Sequence, residues 1–565
     1  MSTRYILIAA TAALLSGCLL EPSIPGPLES SKEQHPEAEP RPTIAVKKGA
    51  HSNTLPTYQA EISVADQVSR RKMRAHAPAA VLKMAGIPHP LPPSYPQENR
   101  DRYAELEENG VKLTQEHPVS TLSIDVDTGS YANIRRYLNN GNLPPKNAVR
   151  VEELINYFSY NYPVPNTRKE PIQIYTEAAT TPWNKNTLLL HVGVQGYQPT
   201  KRPAANLVFL VDISGSMHAP NKLPLLKSSF KLLVNNLTKK DRVSLVTYAG
   251  NAGIVLEPTP GDQKHKILTA LDRLTAGGST HGSAGIKEAY ALAEQAKLKE
   301  GINRIILATD GDFNVGTVSH NKLVELIETK RKQGISLTTL GFGQGNYNDH
   351  LMEQLADKGN GNYGYIDTIS EAQKLLVDEL ASTLETIAGD VKVQIEFNPE
   401  SVSEYRLIGY ENRLLNREDF NNDKVDAGEI GAGHTVTALY EITLKENAQK
   451  RIDPLRYGKS QSQTSHHSDE LAFFKLRYKL PGEKSSTLIQ QPIKRDVITD
   501  NPSQRFRFSS AVAAFGQLLR DGKQLGDYSH KAITNLAHSA KGDDFYGYRS
   551  EFIRLIRLAE SLKNS

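Results

Sequence analysis

A doubly wound, mostly parallel α/β domain in the middle of the chain is the architecture this sequence predicts. An α+β N-terminal region precedes it, and a β-rich C-terminal domain that ends in helices follows. Three observations predict this. Between Ala204 and Ala388, short apolar runs alternate with stretches at helical spacing, the pattern of βα units feeding a parallel sheet. After Asp390 the pattern turns to alternating strands with Gly-rich turns, and past Asn501-Pro-Ser503 to helical spacing. The chain's 565 residues exceed one ordinary core, and length alone allots roughly three or four domains.

The first residues read as a processing signal. Arg4 supplies a positive flank, Tyr5 to Leu15 is an apolar run too short to span a bilayer, and Leu15-Ser-Gly-Cys18 follows. Ser16 and Gly17 are small enough for cleavage before Cys18, which leaves residues 1–17 as a signal peptide. This ending resembles the bacterial lipoprotein signal, which implies that Cys18 is lipidated and becomes the mature N-terminus. Cys18 is the single cysteine of the chain, so no disulfide is expected. Leu19, rather than Asp, follows it, and the resemblance then implies the outer membrane, on its periplasmic or surface face. Residues 18–97 are rich in Pro, Ser and Ala, with pieces such as His89-Pro-Leu-Pro-Pro-Ser-Tyr-Pro96. Such a stretch buries too little apolar surface to offset its chain entropy and reads as a tether, with room for a short amphipathic helix around Asp66 to Met84. Formal charge is +4, or +3 once Arg4 is removed, too little to argue for a nucleic-acid partner.

In the unit from 98 to 199, Ser123-Ile-Asp-Val-Asp127 ends a strand, and Thr128-Gly-Ser130 can cap a helix from Tyr131 to Leu138. Val151 to Phe158 is apolar at helical spacing, and Ile172–Glu177 and Leu188–Val194 read as strands. The central unit, 204–388, offers strands at Leu207–Val211, Val243–Tyr248, Ile254–Leu256, Arg304–Ala308, Ser336–Phe342 and Tyr363–Ile366. Helical patterns at Leu223–Leu237, Lys264–Leu274, Ser283–Ala296, Asn321–Lys332, His350–Asp357 and Ser370–Ile387 lie between or after them. The turn Gly250-Asn-Ala-Gly253 makes the strand at Ile254 the antiparallel edge. In the last unit, 390–565, strands are expected at Val391–Phe397, Thr435–Thr443 and Leu471–Tyr478, with a polar loop from Ser460 to Asp469. Helices are expected at Ala511–Arg520, Ser529–Ala540 and Tyr548–Leu562, as a sandwich-like piece beside a small helical one.

The chemistry concentrates in the central unit. Asp212-Ile-Ser214-Gly-Ser216 closes the first buried strand, Gly277-Gly-Ser-Thr280 precedes a helix, and Thr309-Asp310-Gly311 closes the central strand. All three fall at carboxyl ends of strands or at helix starts, the ligand-binding edge of an open α/β sheet. Asp212, Ser214, Ser216, Thr280 and Asp310 offer only hard oxygen ligands and two negative charges. Such a set suits Mg²⁺, with Mn²⁺ or Ca²⁺ as alternatives, and leaves a sixth position to an outside carboxylate. This pattern resembles the metal-ion-dependent adhesion site of the von Willebrand factor type A domain, which implies metal-dependent binding of an acidic group on a protein partner. The stretches Pro118 to Tyr131, Val149 to Phe158, Phe506 to Leu519 and Gly547 to Phe552 are similar to YfbK-like von Willebrand A lipoproteins. That likeness implies an architecture and no established activity.

Other motifs take plainer readings. Asp125-Val-Asp-Thr-Gly129 and Asp419-Phe-Asn-Asn-Asp423 begin like calcium loops but lack the required Gly and Glu. The first reads as a strand end with a helix cap, the second as a solvated loop. His218 and His281 adjoin the ligand set as exposed loop histidines or as donors to it; His466-His467 has no metal-ligand spacing. No G-x-S-x-G elbow, P-loop, H-E-x-x-H or Cys/His zinc spacing occurs, and no catalytic residue is assigned. Three functions stay open: a metal-dependent adhesive lipoprotein, an envelope assembly factor with a purely stabilising metal, and a metal-dependent hydrolase.

Overall fold

The computed structural model describes residues 101–564 except Leu106, Asn251, Thr280, His281, 312–319, 448–450 and 454–466. The expected signal peptide, Cys18, the expected tether and the short helix allowed for within it, Thr280, His281 and His466 lie outside the described residues. No helix among the described residues is long and apolar enough to cross a membrane.

The chain first lays down β1 (Lys112–Leu113), β2 (Val119–Ser123), α1 (Gly129–Asn139), α2 (Val151–Asn156), β3 (Ile172–Thr181) and β4 (Asn184–Gly196). The central unit follows with β5 (Ala205–Asp212), α3 (Leu223–Asn235), β6 (Arg242–Tyr248), β7 (Ala252–Pro260), α4 (Lys264–Asp272), α5 (Gly282–Gln295) and β8 (Ile302–Thr309). It continues with α6 (His320–Lys332), β9 (Ser336–Phe342), α7 (Asp349–Lys358), β10 (Tyr363–Ile366), α8 (Ile369–Gln373) and α9 (Leu380–Leu384). Last come β11 (Thr386–Phe397), β12 (Val402–Ile408), β13 (Gly428–Gly431), β14 (Thr435–Leu444), β15 (Glu470–Lys479), β16 (Thr487–Lys494), α10 (Gln504–Leu519), α11 (His530–Ser539) and α12 (Tyr548–Lys563).

The central sheet runs β10-β9-β8-β5-β6-β7, parallel throughout except for β7. Its inner strands are buried on both faces because helices cover both. Leu207, Phe209 and Val211 of β5 face α3 and α4, where Phe230 stacks on Phe209 with ring centroids 4.2 Å apart. Val208 and Leu210 face Ile286 and Ala289 of α5 on the other side. The helix expected from Ser370 to Ile387 is broken. A π-helical turn, Lys374–Asp378, separates α8 from α9, with Glu379 N bonded to Lys374 O at 2.8 Å. The segment from Thr386 is already strand.

The N-terminal and C-terminal segments, expected as separate units, share their sheets. One sheet has the order β1-β12-β14-β4-β3, so β4 from the first segment pairs with β14 from the last. The other joins β13-β11-β15-β16, and β2 adds to β11. The strand alternation explains the layers. Leu190, Val192 and Val194 of β4 point into the core between the sheets with Tyr440, Ile395 and Phe474. Leu189 points the other way, into a helical layer of α2, α10 and α12 with Leu154, Phe508, Phe515 and Phe552. The body is therefore one composite sandwich with a helical cover, interrupted by the α/β domain. Both ends of that insertion lie at the sheet edge opposite the loops that follow Asp212 and Thr309. Ala204 O accepts from Ile302 N at 2.9 Å, and Leu384 O accepts from Arg304 Nη2 at 3.2 Å.

The insertion is also clamped along its flank. Helix α1 packs over edge strand β10 so closely that a Cβ on Gly129 would collide with the Tyr363 ring. Thr128 does not cap α1 with its side chain as expected; Glu153 Oε2 accepts from Ser130 N at 2.7 Å instead. Asp125 and Asp127, read as strand end and cap, belong to a buried charge network. Arg413 reaches Asp125 (3.2 Å), Asp127 (3.4 Å), Glu353 (3.0 Å) and Asp357 (2.7 Å). Arg150 reaches Glu153 (2.7 Å), Glu353 (3.1 Å) and Asp349. The carboxylates of Asp125, Glu153 and Glu353 approach within 4.8 Å of one another, and the two guanidinium groups bridge them. Asp419 closes a capping box with Asn416 at the start of a short 3-10 turn, Asn416 N donating to Asp419 Oδ2 at 3.1 Å.

Candidate metal centre

Strand β5 delivers Asp212 to the carboxyl edge of the sheet, and the chain turns immediately. Asp212 Oδ1 accepts from Ser214 N at 2.9 Å, which folds the loop back over the carboxylate. The Ser214 and Ser216 hydroxyls then lie 3.0 Å apart. Ser214 is buried, whereas Ser216 and His218 are exposed. Asp212 Oδ2 accepts from Thr309 Oγ1 at 2.9 Å and from Tyr248 OH at 3.3 Å. Tyr248 stands opposite Asp212 in the β5–β6 register. Thr309 belongs to a segment expected at the site and Tyr248 only to a strand, and neither is among the expected ligands; both sit at the ends of the strands flanking β5, where the parallel register places them beside Asp212.

Asp310 follows the end of β8, fully buried. The turn there requires glycine: Gly311 has φ +86°, and a Cβ would lie 2.6 Å from Asn348 N. Lys222, at the start of α3, donates to Asp310 Oδ2 at 2.8 Å. Its stem lies against Gly343 so tightly that a Cβ there would overlap it. The third loop is stitched on by backbone: Gly277 N donates to Ile213 O at 2.7 Å, and Gly215 N to Gly278 O at 3.0 Å. Gly278 has φ +89°. The structure thus brings together Asp212, Ser214, Ser216 and Asp310, and holds the glycines just ahead of Thr280 against them.

Burial pushes the Asp212 carboxyl up to about 6; Asp310's charge adds to this, and the bonds from Ser214 and Thr309 oppose it. Two buried carboxylates near enough to repel, with hydroxyls clustered beside them, fit a hard divalent cation. Asp212, Ser214, Ser216 and Asp310 would hold it; Thr280, the fifth ligand expected from sequence, lies outside the described residues. Beside the site, a cleft of about 420 Å³ opens along Met217, His218, Leu223, Lys227 and Thr275.

The model of the von Willebrand factor type A domain matches residues 206–379. A model described as "von Willebrand factor" matches 97–191, and the C-terminal model of "Uncharacterized protein YfbK" matches 382–562. Over 471 residues the chain is 48% identical to "Uncharacterized protein YfbK" of Escherichia coli (strain K12), covering 82% of this chain and 81% of that one. The chain belongs to the YfbK family. The YfbK-type arrangement places its type A domain between the two matched flanking segments, and those segments are the two halves of the composite sandwich. The human inter-alpha-trypsin inhibitor heavy chain H3 is 25% identical over 264 residues, covering 43% of this chain and 29% of that one. A solved von Willebrand factor type A protein from Catenulispora acidiphila superposes with a TM-score of 0.41 at 15% identity, covering 71% of this chain and 91% of that one. These names indicate no catalytic function.

Proposed function

We propose that this YfbK-family protein is a cell-envelope lipoprotein, anchored through Cys18, that binds a divalent cation and uses it to capture a carboxylate on a protein partner. The observation that carries the reading is the convergence, from two strand ends, of the buried Asp212, Ser214 and Asp310 with the exposed Ser216 hydroxyl at one edge of the sheet. The cation, Mg²⁺ by ligand type, supplies a charge-accepting position for an outside oxygen. Asp212 is oriented for this by Ser214 N, Thr309 and Tyr248. A charge-assisted bond made in a partly dry site concentrates affinity in one contact, and the neighbouring cleft sets specificity.

Non-enzymatic binding is favoured over hydrolysis by the placement of the hydroxyls. Ser214 and Ser216 Oγ bond to each other, and among the described residues no histidine bonds to either as an activating base would. Asp212→Ala tests the reading. Calorimetric Mg²⁺ binding should be lost, together with chelator-sensitive crosslinking to envelope proteins in intact cells. Loss of the ion with crosslinks unchanged would favour the assembly reading, in which the ion only stabilises the domain.

A further inference from the structure

The lysine beside the predicted ligands is unusual in its setting. The Lys222 side chain is only 9% exposed, and that of its partner Asp310 is fully buried. A buried ion pair is a weak source of stability, because the cost of removing both charges from water offsets their attraction. The pair also cannot readily come apart. Gly343 backs the lysine stem, and Asn346 Oδ1 lies 3.4 Å from Nζ. The loop carrying Gly343 and Asn346 is itself pinned: Asp101 Oδ1 accepts from Gly345 N at 2.9 Å and Tyr347 N at 3.0 Å. Tyr347 O accepts from Arg102 N at 2.8 Å. The ammonium is therefore a fixed charge that stays at the site when a cation arrives.

We infer that Lys222 is an affinity-setting counter-charge, which weakens cation binding and strengthens binding of the incoming carboxylate. The inference rests on the metal-dependent reading above. With Asp212 and Asp310 alone, a divalent ion would bring the site to a formal charge of zero, and an outside carboxylate would make it −1. With Lys222 counted, the loaded site carries +1, and the carboxylate brings it to zero. Like charges in a partly desolvated site repel over several ångströms, so the lysine lowers affinity for the ion itself. The same charge attracts the next, anionic ligand. A site so arranged binds ion and partner as a linked pair.

The test uses the full chain, with Mn²⁺ as the ion and acetate as the carboxylate, comparing wild type with K222M. Mn²⁺ affinity is read by electron paramagnetic resonance, and acetate affinity by loss of water-proton relaxation at the loaded ion. K222M should bind Mn²⁺ about tenfold more tightly and acetate several-fold more weakly. Removing the partner of a buried carboxylate can prevent folding. K222Q, which keeps a hydrogen-bond donor toward Asp310 without the charge, carries the same two expectations. If wild type binds Mn²⁺ and both variants bind it equally or less tightly, the counter-charge role is overturned while the metal site stands. If wild type does not bind Mn²⁺, the metal reading itself falls, and this inference with it.

Discussion

Arg413→Met perturbs the junction between the inserted domain and the sandwich without touching the candidate metal site. The arginine's four carboxylate partners come from both bodies: Asp125 and Asp127 lie between β2 and α1, whereas Glu353 and Asp357 lie on α7. Asp357 is 39% exposed and contributes little; the other three are buried. Breaking a buried pair by removing one partner costs about 3–5 kcal/mol, because charge is left uncompensated. Arg150 still reaches Glu353, which places the expected cost toward the lower end. For the α/β domain melting on its own, a loss near the lower end is a fall of roughly 6–12 °C in its melting temperature. The pH dependence has a definite sign. Burial, reinforced by Asp125, holds the Asp127 carboxyl well above the usual range, and Arg413 opposes this. Without Arg413 the folded network binds protons more tightly than the unfolded chain. Stability should then fall as pH rises, and the deficit should be larger at about pH 8 than at about pH 5.5. Differential scanning calorimetry at both values is the assay, and a separate transition for the α/β domain is expected in the variant. A melting temperature equal to wild type at both pH values would refute the view that this network joins the two bodies.

His191 gives a second pH signature of opposite origin. It is fully buried, with Nε2 2.5 Å from Tyr162 OH and Nδ1 3.0 Å from Ser509 Oγ, and burial, helped by Arg505, lowers its pKa to about 3. The stability this neutral ring supports is present above the unfolded value near 6.5 and is lost as pH falls toward 3, at up to about 1.4 kcal/mol per pH unit. His191→Gln should therefore flatten the urea midpoint against pH in that window, and an unchanged slope would count against the assignment. For the anchor, Cys18→Ser should move the protein from the membrane to the soluble fraction on cell fractionation; full membrane retention would argue against lipidation.

Much of the candidate site's local structure was legible because it is built from local signals. An apolar run ending in Asp-x-Ser-x-Ser states both the strand and the loop that ends it, and Thr309-Asp310-Gly311 does the same for β8. Lys222 was not legible, since Asn221-Lys222 ahead of a helix looks like an ordinary solvated start. Only the packing of α3 against the β9–α7 loop turns its ammonium inward. Tyr248 was recognised as a strand residue, and its role came from register, which periodicity does not report. The union of the N-terminal and C-terminal segments escaped for a related reason. Leu188–Val194 reads as a run buried on both faces, but the sequence carries no mark that the partner strand is Thr435–Leu444. The break in the helix after Gln373 was masked because apolar spacing continues through the π turn as far as Leu384.

The interrupted sandwich also constrains the order in which the chain can fold. Strands β3 and β4 can form their hairpin early, but β4 has no second neighbour until Thr435–Ile442 of β14 has been made, some 240 residues later. An unfolded insertion of that length would have to be closed as a loop before the pairing gave anything back. A folded α/β domain whose two ends already meet at one sheet edge removes most of that cost. The inserted domain is thus expected to act as the folding template for the rest, with the β3–β4 hairpin waiting half-covered as the species most exposed to aggregation or to chaperone capture.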